Sequence, residues 1–194
     1  MIRPLPTVFL AVLVFGVVAC ADHRSAQENA LAPPIDQELL ISSAERGTAQ
    51  DQYNLGLRYE RGMAVPQNLS EAVRWYRQAA LQAHADGQFK LCEMSERGEG
   101  LPQDYQEALR WCGLAADQGH ARAMFLLGRL YHTAHGVPPD LVRAHMWYNL
   151  ATANGYEQGK RWRDRLAEEM SPVQIAEAQK LAREWSLRMS LRNG

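Results

Sequence analysis

Trp75, Trp111 and Trp147 stand 36 residues apart, and the segments around them read EAVRWYRQAA, EALRWCGLAA and RAHMWYNLAT. Ala72, Ala108 and Ala144 keep the same step, as do Pro66, Pro102 and Pro138, and Leu55, Leu91 and Leu127. No residue is inserted or lost between these copies. Self-similarity at a fixed period of this size marks a repeat array, in which each unit buries its apolar side against the next copy.

Each unit divides into two amphipathic halves. In the first copy Tyr53, Leu55, Gly56 and Tyr59 fall on adjoining faces of a helix. Ala72, Trp75, Tyr76 and Ala79 then form an i, i+3, i+4, i+7 stripe. Between the halves Gly62 suits the left-handed position that ends a helix, and Pro66 keeps the chain non-helical. Asn68 with Glu71, and Asp104 with Glu107, predict capping boxes. Asp140 keeps the cap in the third copy, where Arg143 stands in the glutamate's place. Each unit is therefore expected to be a pair of antiparallel helices, closely approached at Gly56 and Ala72 and filled by Trp75 and Tyr76.

The unit resembles the Sel1-like repeat of the tetratricopeptide class. Copy one carries the pattern through Leu55, Gly56, Tyr59, Gly62, Val65, Ala72, Trp75, Tyr76, Ala79 and Ala80. Copy two carries it through Leu91, Gly98, Gly100, Asp104, Ala108, Trp111, Ala115, Ala116 and Gly119, with Cys92 for the glycine and Ser95 for the tyrosine. Copy three does so through Leu127, Gly128, Tyr131, Gly136, Val137, Asp140, Ala144, Trp147, Tyr148, Ala151 and Gly155. The resemblance implies an all-α, right-handed α-α superhelix of stacked antiparallel helix pairs, with three full repeats plus terminal capping helices. The repeats are expected over 48–83, 84–119 and 120–155.

Residues 1–19 read as a signal segment: Arg3 precedes an uncharged apolar run from Val8 to Ala19, too short to span a bilayer comfortably. The run ends Val17-Val18-Ala19-Cys20, which resembles a bacterial lipobox whose cysteine is acylated. Ala19-Cys20-Ala21 also fits ordinary signal cleavage, and an uncleaved anchor is a third reading. Lipidation at Cys20 implies an exported protein held on the periplasmic face of a membrane, and Ala21 after the cysteine favours the outer one. Acyl chains contribute about 0.8 kcal/mol per buried CH₂ to such anchoring. Residues 20–35 are polar, then proline-bearing, and read as a tether. Residues 36–47 fit a short capping helix in which Leu39 and Ser43 lie one repeat upstream of Trp75 and Ala79.

After Gly155 the pattern weakens but remains helical through 156–190. Trp162 and Leu166 share one face of a fourth first helix. Ser171-Pro172 with Gln174 then opens a last helix, expected to about Met189, with Ile175, Ala178, Leu181, Ala182 and Trp185 as its stripe.

Cys92 stands where the resembling pattern has a small glycine, and Cys112 where it has the second aromatic. Two thiols at one shared contact can oxidise in an exported protein; the other reading is a pair of buried free thiols.

The formal charge of −1 gives no electrostatic reason to expect nucleic acid. No G-x-S-x-G, glycine-rich phosphate loop or H-E-x-x-H occurs, so the chain reads as non-enzymatic, without a cofactor. His132 and His135 form an H-x-x-H pair followed by His145, but no ligand set of metal-binding spacing accompanies them. In tetratricopeptide-like arrays the first helices line the concave side, which would present Tyr53, Phe89 and Phe125, beside Leu57, Glu93 and Arg129. Below these lie Glu60-Arg61, Glu96-Arg97 and His132. Aromatic residues with flanking charges suit capture of a peptide; alternatively the aromatics belong to the core between repeats. The resemblance implies an adaptor binding protein partners in the cell envelope. A peptidoglycan- or β-lactam-binding protein, or a weak cell-wall hydrolase, is the alternative, implied by cysteine-rich relatives with a cysteine pair in every repeat.

Overall fold

The computed structural model describes residues 37–193. The expected signal segment, Cys20 and the expected tether lie outside the described residues. Among those described there are helices and no strand: α1 (Gln37–Arg46), α2 (Ala49–Arg61), α3 (Leu69–Leu81), α4 (Ala85–Arg97), α5 (Tyr105–Ala116), α6 (Ala121–His132), α7 (Leu141–Ala153), α8 (Gln158–Ala167) and α9 (Pro172–Asn193). Helices α2–α3, α4–α5 and α6–α7 pair closely, and each pair packs on the next. The result is an all-α repeat solenoid.

Its core is the repeated scaffold. Trp75, Tyr76, Leu91, Tyr148 and the alanines at 72, 108 and 144 are buried, as are Leu55 and Leu127. The second helices are capped where expected, by Asn68, Asp104 and Asp140, each side chain accepting from a backbone N–H in the first turn. The two expected capping boxes are only half formed. Glu71 turns to Arg74 at 3.0 Å, and Glu107 accepts from the indole N–H of Trp111 at 3.0 Å, so neither reaches back to its cap. A complete box occurs instead at α2, between Thr48 and Asp51. There the Thr48 backbone N–H and its hydroxyl hold the Asp51 carboxyl below its ordinary value.

Three positions in each unit need a left-handed backbone, and each is filled twice by glycine and once by alanine. The sets are Gly62, Gly98 and Ala134; Ala64, Gly100 and Gly136; and Ala83, Gly119 and Gly155. Space explains the middle set. A Cβ at Gly100 would lie 2.5 Å from the Leu69 carbonyl oxygen, and one at Gly136 2.5 Å from Tyr105 Cβ, whereas Ala64, in the first repeat, is exposed. Every alanine still bears the backbone cost of positive φ, on the order of 1 kcal/mol. Ala83→Gly is expected to raise stability by about 0.5–1 kcal/mol, read from the urea midpoint. A lower midpoint would contradict the strain.

Both ends depart from the repeat. Helix α1 turns Ala44 inward, at the place of Ala80, but Leu39 is 65% exposed although it aligns with buried Trp75. No first helix precedes α1 among the described residues, so the tryptophan's place stays open. At the other end, Ser171 and Gln174 form the expected reciprocal cap at 2.9 and 3.3 Å. Helix α9 runs past Met189 to Asn193, fastened by Arg192 to the Asp117 carboxylate and carbonyl at 3.3 and 2.7 Å. Trp185 meets Trp147 edge-on at 5.7 Å between ring centres, and so covers the last tryptophan of the series.

Candidate partner-binding groove

The first helices α4 and α6, with the start of α8, enclose a groove of about 190 Å³ lined by Phe89, Glu93, Glu96, Arg97, Arg122, Phe125, Leu126, Arg129, Tyr156 and Gln158. Its charged walls are tied across the repeats. Arg129 meets Glu96 at 2.6 Å, and Arg122 reaches Glu93 at 3.4 Å while lying 4.7 Å over the Phe89 ring. Lys90 joins Glu60 at 2.8 Å and Glu93 at 3.7 Å, linking the groove to the first repeat.

Of the residues named from sequence, Phe89, Glu93, Glu96, Arg97, Phe125 and Arg129 share this groove; Tyr53, Leu57, Glu60, Arg61 and His132 do not line it. The aromatics serve mainly to join repeats. Tyr53 stacks on His84 at 4.8 Å, Phe89 on His120 at 4.4 Å, and Phe125 meets Tyr156 at 5.1 Å. Phe89 is only 4% exposed. Leu57 packs on the core. Glu60 accepts from the Tyr76 hydroxyl and from Lys90. Burial raises its affinity for a proton, but those bonds and the Lys90 charge outweigh burial and hold the carboxyl below its ordinary value. Burial, then Glu60, push the Tyr76 hydroxyl well above its usual range. His132 sits edge-on to Tyr148 and Trp162, His135 stacks on Tyr105 at 4.6 Å, and His145 is buried, with its imidazole held low by burial and then by Arg163.

Two repeated contacts escaped the sequence reading. The first is the histidine cap. His84 and His120 open α4 and α6, their Nδ1 atoms accepting from Gly87 N–H and Ala123 N–H at 3.1 Å. Nε2 of His84 faces Gln50 at 3.1 Å, and that of His120 faces Asp86 at 3.2 Å. The second is a glutamine rung. Buried Gln52 donates to the Ala44 carbonyl at 3.3 Å and accepts from Gln82 at 2.7 Å. Gln88 repeats this with Ala80 at 3.2 Å and Gln118 at 2.7 Å. In the third copy Met124 replaces the glutamine, and its thioether accepts from the Asn154 amide at 3.5 Å. The 36-residue steps Gln52/Gln88 and Gln82/Gln118 were the available signal.

The histidine cap has a pH consequence. Burial lowers the His120 pKa, against the opposing pull of Asp86. Its neutral form is favoured in the fold, so its contribution is complete above the ordinary value of about 6.5 and is lost as pH falls through the lowered value. The urea midpoint is expected to drop on acidification below about pH 6.5. His120→Asn, which caps without titrating, should flatten part of that drop; an unchanged profile would remove His120 as a source.

The middle repeat holds a covalent link. In repeats one and three a glycine lies against a tyrosine ring: a Cβ on Gly56 would come within 2.7 Å of Tyr76, and one on Gly128 within 2.6 Å of Tyr148. In repeat two the same two places hold Cys92 and Cys112, both buried and joined by a disulfide with Cα atoms 5.2 Å apart. The family model of the Sel1 repeat matches residues 49–84, 85–120 and 121–156.

The chain belongs to the Sel1 repeat family.

Proteins of this family generally act as protein–protein interaction scaffolds. The Sel1 array is similar to the solved structure of c5321, a protective antigen present in uropathogenic Escherichia coli strains displaying an SLR fold. That similarity has 32% identity and a TM-score of 0.70, over 75% of this chain and 31% of the other. It is also similar to a Sel1 repeat protein from Oxalobacter formigenes, at 32% identity and a TM-score of 0.64, over 76% of this chain and 64% of that one. The chain thus spans less than two thirds of either relative. A comparison with curated proteins gives no match.

Proposed function

We propose that this Sel1 array is a non-enzymatic adaptor, lipid-anchored through Cys20 on the periplasmic side of a bacterial outer membrane, which holds a protein partner in the groove between α4, α6 and α8. The groove carries the reading. It is open, formed jointly by consecutive repeats, and walled by charged side chains fixed by their neighbours. Export is supported by the apolar run ending at Cys20 and by the Cys92–Cys112 bridge, which suits an oxidising compartment.

A photo-crosslinking amino acid placed at Gln158 in intact cells tests the groove. The expected result is a discrete captured chain that is absent when the probe sits at exposed Leu114, which does not line the groove. Equal capture at both positions, or none, counts against it. Mass spectrometry of the mature N-terminus tests the anchor separately. An acylated Cys20 is expected, and an unmodified start at Asp22 removes the lipid while leaving the groove reading intact.

A further inference from the structure

The charge pattern of the groove says which kind of segment it suits. Arg97, Arg122 and Arg129 line it, opposed by Glu93 and Glu96. Both carboxylates are already engaged. Glu96 is held by Arg129 at 2.6 Å, Glu93 is shared among Lys90, Arg97 and Arg122 at 3.7, 3.7 and 3.4 Å, and Arg97 also meets Glu99 at 3.8 Å. Arg97 and Arg122 are exposed, and each guanidinium has five N–H donors, more than these long contacts use. The positive run continues beyond the groove's end. Gln158 lines it, and three and seven residues further along the same face of α8 stand Arg161 and Arg165. Both are exposed, and neither makes an ion pair among the described residues.

Uncompensated guanidinium groups along a cleft raise its potential for anions, and their planar forks match carboxylates. Two features favour a peptide over a uniform polyanion. Glu93 and Glu96 stand in the wall, where they would repel an unbroken phosphate backbone. Phe125, Leu126 and Tyr156 add an apolar strip that suits a side chain.

We infer that the groove takes an acidic peptide segment of the partner protein, with carboxylate side chains on Arg97, Arg122, Arg161 and Arg165 and an apolar side chain against Phe125 and Tyr156. This rests on the groove being the partner site. The test pans a phage-displayed library of random peptides of about twelve residues against the full chain. A parallel selection uses the Arg161→Glu/Arg165→Glu variant, with circular dichroism as the check on its fold. Enriched sequences are expected to carry a net charge of about −2 or lower around an aromatic or aliphatic residue. An amidated synthetic copy of the leading sequence should bind the variant at least about tenfold more weakly, and should weaken with added salt.

Enrichment of neutral or basic sequences, or of none, overturns the inference. So does equally tight binding of a single-stranded DNA oligonucleotide of the same charge. If cells yield a chain crosslinked at Gln158 while the library shows no acidic preference, the adaptor reading stands and this inference falls. If acidic peptides bind but no chain is captured at Gln158, the adaptor reading falls and the charge preference remains.

Discussion

Replacing Cys92 and Cys112 together with alanine is expected to lower stability by about 3 kcal/mol, the chain-entropy value for a closed loop of roughly this length. The bridge spans 20 residues, links the two helices of the middle repeat, and lies fully inside the core. Its removal therefore frees the unfolded chain and also empties buried volume. A second variant separates these effects. Cys92→Gly with Cys112→Tyr installs the glycine–tyrosine contact already present as Gly56–Tyr76 and Gly128–Tyr148. It should recover a substantial part of the loss, because the ring fills the space the sulfurs leave. The introduced hydroxyl would have Glu96 at the place where Glu60 serves Tyr76, although Glu96 is engaged by Arg129. Urea unfolding of the three proteins without reductant gives the comparison. If reductant leaves the wild-type midpoint where it was, the bridge does not contribute as argued.

Gly128→Ala is expected to cost about 2–3 kcal/mol, a large effect for one methyl group. The added carbon would lie 2.6 Å from Tyr148 Cδ1 and 3.2 Å from the Ala144 carbonyl oxygen. Tyr148 is fully buried and hemmed in by Phe125 and Trp162, so its ring has nowhere to withdraw. Gly113→Ala provides the contrast. Gly113 lies inside α5, and a Cβ there would meet nothing within 4 Å. That change should raise stability by about 0.5–1 kcal/mol through helix propensity alone. Thermal or urea midpoints of both variants decide the matter; a tolerated Gly128→Ala would mean that the helix pair can separate at little cost.

The helix pairs, their turns and the caps of the second helices were legible because each is written within one 36-residue unit. The apolar stripe from Ala72 to Ala79, the left-handed Gly62 and the cap at Asn68 need only local periodicity to be seen. The histidine caps and glutamine rungs were missed because their partners lie in other helices: Gln52 with Gln82, and His120 with Asp86. Local rules also overreached. Glu71 and Glu107 have the spacing of a capping box, but nearby cations and an indole N–H compete for their carboxylates. Leu39 has the register of Trp75 but lacks the neighbour that would bury it. The candidate face was read as a column along all the first helices, whereas only Phe89, Glu93, Glu96, Arg97, Phe125 and Arg129 of that column share the groove beside the second and third repeats. The excess of arginine there emerges only when Arg122 and the end of α8 are placed beside Glu93 and Glu96.

The loss of a rung at Met124 bears on how the array can bend. A glutamine donating to the previous helix fixes one repeat against the next in a set direction, as Gln52 and Gln88 do. A thioether packs without such directionality and tolerates sliding. The junction after the second repeat thus lacks the lock the two earlier junctions have, and it is the one that frames the groove. That junction is held instead by the Arg129–Glu96 and Arg122–Glu93 pairs, so the width of the cleft rests on charged contacts that salt can screen rather than on a buried amide.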